Sequence, residues 1–175
     1  MVFTGVKVYG DVSMADDSKK TTHQERTIML EYILLNVQHC TVITTAEEID
    51  DIGLSKAIKK SLETIIEYFP NEKYLYDGSN KFNCNCETLE TLVKADALVK
   101  GVGAASIIAK TTKDKLMLEH HQEFPMYGWD SNQGYVTKKH VSAILEYGHT
   151  KYHRKTYKIK EIEEKKSIET TDLLF

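Results

Sequence analysis

The chain has 175 residues, 41% of them hydrophobic and 28% charged, close to soluble globular averages, so neither a disordered nor a membrane-embedded class fits. That length suffices for one domain whose core needs no disulfide or structural metal. A net charge of −3 argues against gripping nucleic acid by bulk electrostatics, so any polyanion must be met by a local patch.

The opening "MVFTGVKVYGDV" lacks the apolar stretch and cleavage site of a signal peptide, and no run approaches the ~18 apolar residues of a membrane span. A cytoplasmic protein with no membrane partner is expected. Val2 to Val12 is rich in β-branched and aromatic residues and predicts a strand. The polar "MADDSKKTTHQER" predicts a loop, after which Thr22 and Glu25 have the spacing of a capping box for a helix through Leu35. Val37 to Thr45 predicts a second strand. Cys40, Cys84 and Cys86 are odd in number, and Cys-Asn-Cys lacks the two-residue spacer of a zinc site, so reduced, non-ligating thiols are expected.

In "AEEIDDIGLSKAIKKSLETIIEYF" the isoleucines, leucines and Ala57 recur near helical spacing, which predicts one amphipathic helix with an irregular first turn at Gly53. Pro70 and Asn71 stop it. "KYLYDG" predicts a short strand ending on Asp77 and Gly78, and "ETLVKAD" another ending on Asp96. Ala105, Ile108, Ala109, Thr112 and Leu116 predict a helix from Ala104 to about Phe124. There follow a predicted loop, "MYGWDSNQGYVT", a short helix, "KKHVSAILEYG", the basic "KYHRKTYK" and a charged tail. Alternating strands and helices make the class α/β.

Two aspartates that each close a short apolar strand are the chemically suggestive feature. Sites in α/β sheets form in the crevice beyond strand ends, and carboxylates there can hold Mg²⁺ or Mn²⁺, which take oxygen ligands and leave positions for water and phosphate oxygens. The bland reading is equally simple, because Asp-Gly is a common turn. "GVGAAS" is no phosphate cradle: it lacks the Lys-Ser/Thr of a P-loop and the third glycine of a dinucleotide fingerprint. Small residues there let a helix pack closely on the sheet.

"VKADALVKGVGAASIIAKTTKD", Val93 to Asp114, resembles the Lys-Gly-Asp … Ala-Ala-Ser-Ile-Ile-Ala-Lys-Val-Thr-Arg-Asp block of ribonuclease HII, the type 2 ribonuclease H family. "DDSKK", "AEEID", "YLYDG", "YGW…QGYVT" and "YGHTKYHRKTY" are similar to further blocks of that family, in order, over about Val2 to Tyr157. The resemblance implies a ribonuclease H-like mixed sheet flanked by helices, with a helical C-terminal region, over residues 1–157, and a charged tail over 158–175. It implies a monomeric endonuclease that hydrolyses the RNA strand of RNA–DNA hybrids and nicks duplex DNA 5′ to an embedded ribonucleotide, leaving 3′-hydroxyl and 5′-phosphate ends. Asp77 and Asp96 match its last two active-site carboxylates and would hold the Mg²⁺ or Mn²⁺ that assists hydrolysis.

Tyr135 matches a tyrosine that stacks on the sugar at the RNA–DNA junction, although a core role suits a tyrosine equally well. Lys19, Lys20 and Arg154 are candidates to meet phosphates, and His153 beside Arg154 could instead pack the C-terminal segment. The ending "SIETTDLLF" resembles the short apolar peptides that dock replication enzymes on sliding clamps. The family also has an Asp-Glu-x-Gly-Arg-Gly strand, the central one of its sheet, which carries two more carboxylates; this sequence contains no such motif. Residues 1–175 alone are therefore expected not to cleave, whereas a chain extended by that strand would. The rival expectations are an inactive nucleic-acid-binding remnant and a fragment that needs a partner chain to complete its sheet. Smaller departures are Ala95 in place of glycine, and Asn132 and Gln133 where the family has a polar residue and lysine.

Overall fold

A computed structural model describes residues 1–15, 22–160 and 162. Lys19, Lys20 and the tail "SIETTDLLF" lie outside the described residues. The chain divides into two compact units, Met1–Thr44 with Ile52–Lys113, and Thr45–Asp51 with Asp114–Phe175.

The first unit begins with β1, Val2–Val8, which pairs antiparallel with β2, Val37–Ile43, Val2 opposite Ile43 and Val8 opposite Val37. β1 is shorter than predicted, since Val12 leaves the ladder and enters the core. Between the strands lies α1, His23–Leu34, and its capping box is as predicted: the Thr22 hydroxyl accepts from the Glu25 N–H, and the Glu25 carboxylate accepts from the Thr22 N–H. Ile33 and Val37 pack with Val12, Ala15, Ala104, Ile107 and Ile108 in one core cluster.

The single amphipathic helix expected from Ala46 to Phe69 is two helices, α2, Ala46–Ile52, and α3, Leu54–Tyr68. Gly53 separates them at φ 81°, ψ 153°, a conformation that suits glycine and breaks the helical hydrogen-bond run. α3 buries Ala57, Ser61, Leu62 and Ile65. Then come β3, Tyr74–Asp77, and β4, Leu89–Leu92, a parallel pair. Among the described residues the two pairs are separate two-stranded sheets. The mixed α/β class stands.

Two boundaries around "VKADALVKGVGAAS" differ from expectation. Asp96 does not close a strand but lies in the first turn of a short helix, α4, Ala95–Leu98, entered through Lys94 in the left-handed conformation at φ 61°. The next helix, α5, starts at Lys100 rather than Ala104 and runs to Glu123. Its early glycines have a packing reason: a Cβ on Gly103 would lie 2.9 Å from the Asp96 carbonyl oxygen and 3.3 Å from that of Ala15.

In the second unit the predicted loop after Phe124 is more ordered than expected. It holds a 3₁₀ turn, Pro125–Tyr127, and a one-turn helix, α6, Trp129–Asn132, and Tyr127 and Trp129 are each only 2% exposed. Tyr127 and Trp129 stack with ring centroids 5.0 Å apart and form a core with Val141, Ala143 and Ile144 of α7, Lys138–Tyr147, and with Ile162. Asp50 of α2 joins two blocks that are distant in sequence: its carboxylate accepts from the N–H groups of Lys155 (2.7 Å) and Thr156 (3.1 Å) and from the Thr156 hydroxyl. Those bonds hold the Asp50 carboxyl below its usual range, the Thr156 hydroxyl contributing most. Among the described residues no helix is long and apolar enough to cross a membrane.

Candidate active site

β3 delivers Asp77 as its last residue, and the Asp77 Oδ1 accepts the Ala95 N–H at 3.0 Å. That bond fastens the strand end to the first turn of α4, where Asp96 sits only 6% exposed. Asp77 and Asp96 both line one cavity of about 640 Å³, shared with β1, with Leu62 and Ile65 of α3, and with Ala105 and Ser106 of α5. Among the described residues no donor reaches the second Asp77 oxygen, Oδ2. The left-handed Lys94, uncommon for a non-glycine residue, is what turns the chain so that Asp96 follows β4 directly into this cavity. Beside it, burial raises the Tyr76 phenol above its ordinary range, and the charge of Asp77 adds to the rise.

Two carboxylates offer a hard divalent cation oxygen ligands of the right kind, though only part of a shell of six or more. Among the described residues no group of three or more His, Cys, Asp or Glu side chains is placed to hold a metal. The donors fit a cation whose remaining positions are filled by water, phosphate oxygens or further carboxylates. The thiols of Cys40, Cys84 and Cys86 are free.

In the second unit, Tyr135 is 62% exposed, so it is not a core tyrosine. Its backbone is firmly held: the N–H donates to the Asn132 carbonyl at 2.9 Å, and the carbonyl lies 3.0 Å from the His140 Nδ1. Asn132, one of the family departures, is buried; its Nδ2 donates to the Tyr127 carbonyl and its Oδ1 accepts the Gly134 N–H. It shapes the turn that presents Tyr135 rather than facing a ligand.

Sequence reasoning missed His140. Its Nε2 lies 3.1 Å from the His153 Nε2 and 3.3 Å from the Trp129 Nε1, and the His153 Nδ1 accepts the Thr150 N–H at 3.0 Å. The signal was present, since His140 falls on the buried face of α7 with Val141 and Ile144. Burial, with His140 and His149 nearby, lowers the His153 pKa to about 4. Arg154 turns to the surface, where its Nη1 donates to the Tyr157 hydroxyl at 3.0 Å and its guanidinium lies 4.9 Å from the Tyr157 ring centroid.

A family profile described as Ribonuclease HII matches residues 12–160. A ribonuclease HII from Sulfurovum sp. (strain NBC37-1) is 35% identical over 164 residues, which cover 94% of this chain and 86% of the relative. One from Rickettsia typhi (strain Wilmington) is 40% identical over 149 residues, covering 84% and 76%. Among solved structures, the chain is similar to the ribonuclease HII of a PCNA complex from Archaeoglobus fulgidus, with TM-score 0.74, 19% identity and 91% of each chain covered. It is also similar to ribonuclease H2 from Pyrococcus horikoshii OT3, with TM-score 0.71, 20% identity, and 94% and 98% covered. At these identities the structural likeness speaks for the fold.

Proposed function

The chain belongs to the ribonuclease HII family, a family of endoribonucleases, and from that premise we propose that it hydrolyses the RNA strand of RNA–DNA hybrids and nicks duplex DNA 5′ to embedded ribonucleotides. Asp77 and Asp96 are the proposed ligands of Mg²⁺ or Mn²⁺. The observation that carries the reading is their convergence on one cavity, with Asp77 fixed by the Ala95 N–H and Asp96 buried. A bound cation supplies positive charge beside the scissile phosphate. The contribution of the chain is to hold two anionic side chains with little freedom, so that reorganisation costs little when the substrate arrives.

Tyr135 is the proposed sensor of the ribonucleotide, its exposed ring stacking on the sugar while the turn beneath it is held by Asn132 and His140. Arg154, Lys19 and Lys20 are the proposed phosphate contacts, and a sliding clamp is a proposed partner of the tail "SIETTDLLF". The test uses the chain extended ahead of Met1 by the Asp-Glu-x-Gly-Arg-Gly strand, on duplex DNA with one ribonucleotide. Nicking is expected with Mg²⁺ or Mn²⁺ and none with a chelator; equal nicking in both refutes the metal assignment. In the same assay Tyr135→Ala is expected to slow nicking more than it weakens duplex binding, because one stacked sugar adds only ~1–3 kcal/mol to contacts spread over many phosphates. Equal losses in rate and binding would remove Tyr135 from this role.

A further inference from the structure

The ring of His140 is buried, and the partners around it fix which of its nitrogens carries the proton. The indole N–H of Trp129 can only donate, so the His140 Nε2, 3.3 Å away, accepts. His153 gives the same answer by a separate route. Its Nδ1 accepts the Thr150 N–H, a backbone donor whose role cannot reverse, so in the neutral ring the proton sits on Nε2 and is shared with the His140 Nε2, 3.1 Å away. Burial favours that neutral ring, with the His153 pKa lowered to about 4. Two donors thus converge on the His140 Nε2, and the proton of His140 is driven to Nδ1. There it faces the Tyr135 carbonyl at 3.0 Å.

That carbonyl belongs to the residue whose ring is exposed. It also accepts the Thr137 N–H at 3.0 Å, and the Thr137 hydroxyl caps α7 by accepting the His140 N–H at 3.3 Å. Tyr135 is therefore tied to the first turn of α7 through both the backbone and the ring of His140. Just ahead of it, Gln133 and Gly134 are left-handed, at φ 51° and 81°. A glutamine holds that conformation because its surroundings determine it. The turn is secured by Asn132 on one side and by His140 on the other.

We infer that His140 is a positioning residue for ribonucleotide recognition: its Nδ1–H, held in that tautomer by Trp129 and His153, fixes the Tyr135 backbone and so aims the exposed ring at the sugar. The inference rests on Tyr135 being the sensor. It assigns the core beneath that sensor a directional task as well as a packing one, since a histidine protonated on Nε2 would set a lone pair against the lone pairs of the Tyr135 carbonyl. A carbonyl left without the His140 bond frees the turn and swings the ring, while phosphate contacts elsewhere stay as they are. The loss therefore falls on the nicking rate at the ribonucleotide and not on duplex binding.

The test separates the two ends of the His140 ring, in the extended chain of the nicking assay. His140→Asn keeps an amide N–H near the place of Nδ1 and nothing near Nε2; His140→Gln keeps an amide near Nε2 and nothing near Nδ1. Single-turnover nicking, duplex binding and thermal melting are read on both. His140→Gln is expected to nick about tenfold more slowly, the worth of one hydrogen bond, with binding unchanged. His140→Asn strands the Trp129 and His153 donors, so it is expected to melt lower than His140→Gln and yet to nick within about threefold of the parent. A merely structural role predicts the reverse, the variant that melts lower also nicking more slowly, and that result overturns the proposal. In a Tyr135→Ala background His140→Gln is expected to slow nicking no further, because both act through one ring; additive losses overturn the proposal. Tyr135→Ala alone reports on the sensor, so failure of that reading shows there, whereas a parent-like His140→Gln beside a slowed Tyr135→Ala sinks only the positioning role. Imidazole ¹⁵N spectra of the parent are expected to show His140 protonated at Nδ1 and bare at Nε2. The opposite tautomer overturns the proposal, and this readout needs no variant to fold.

Discussion

Replacing Asp96 by asparagine, in a chain extended by the Asp-Glu-x-Gly-Arg-Gly strand, is expected to lower metal-dependent nicking by at least ~10², with the same result for Asp77→Asn. Loss of one strong electrostatic group at the reacting phosphate costs on the order of 2.7–4 kcal/mol. The two variants differ in what else they touch. Asn at position 77 keeps an oxygen that can accept the Ala95 N–H, so the junction between β3 and α4 is expected to survive. Asp96 is 6% exposed and asparagine is close to it in size and shape, so Asp96→Asn is expected to fold and to melt cooperatively. Single-turnover nicking and thermal melting on the same samples check both statements. Wild-type rates in either variant would remove that residue from the site.

The second large effect is a loss of stability in acid. His153 is 9% exposed and titrates near 4 in the folded chain, against an ordinary 6.5. The unfolded chain therefore binds more protons at this position between pH 6.5 and 4, and stability falls as pH drops through that window. Above pH 6.5 both forms are neutral and nothing is lost. The depression corresponds to about 3 kcal/mol by pH 4. The groups around the ring are His140 and His149, with Tyr127 and Trp129 in ring contact, and no carboxylate is among the causes of the shift. His120, also lowered by burial, adds in the same direction. Asparagine at position 153 can accept the Thr150 N–H in place of the His153 Nδ1 but does not titrate. Urea midpoints from pH 7 to pH 4 are therefore expected to fall more steeply for the parent than for His153→Asn. Parallel slopes would mean that His153 gains a proton without cost.

Much of the site was legible because it is local. "YLYDG" reads as a strand closing on a carboxylate, and Asp77 does end β3. The capping box of Thr22 and Glu25 is equally local. Asp96 was read as closing a strand and lies instead in the one-turn helix α4, which depends on a left-handed Lys94 for which the sequence carries no glycine signal. The start of α5 was missed for a related reason. Gly101 and Gly103 disfavour a helix by propensity, and only the fold explains them, through Val8 pressing on Gly101 and the backbone of Asp96 and Ala15 on Gly103. Trp129 and Tyr127 read as loop residues because their helical turns are too short for any period to show, yet they anchor a core. The contact of Asp50 with Lys155 and Thr156 was invisible for another reason, since sequence separation hides pairing that only the tertiary fold creates.

The same logic governs the split sheet. Strand pairing is decided across the chain, so the division into a β1–β2 pair and a β3–β4 pair became visible only in three dimensions.

The central claim is therefore tested most directly by mapping the nick made in duplex DNA that contains one ribonucleotide, with Mg²⁺ or Mn²⁺, by the 175-residue chain and by the chain extended with the Asp-Glu-x-Gly-Arg-Gly strand. The account predicts a single cut by the extended chain, 5′ to the ribonucleotide, leaving 3′-hydroxyl and 5′-phosphate ends, and no cut by the shorter chain. A comparable rate from the shorter chain, or cation-independent cleavage leaving a cyclic phosphate, would contradict it.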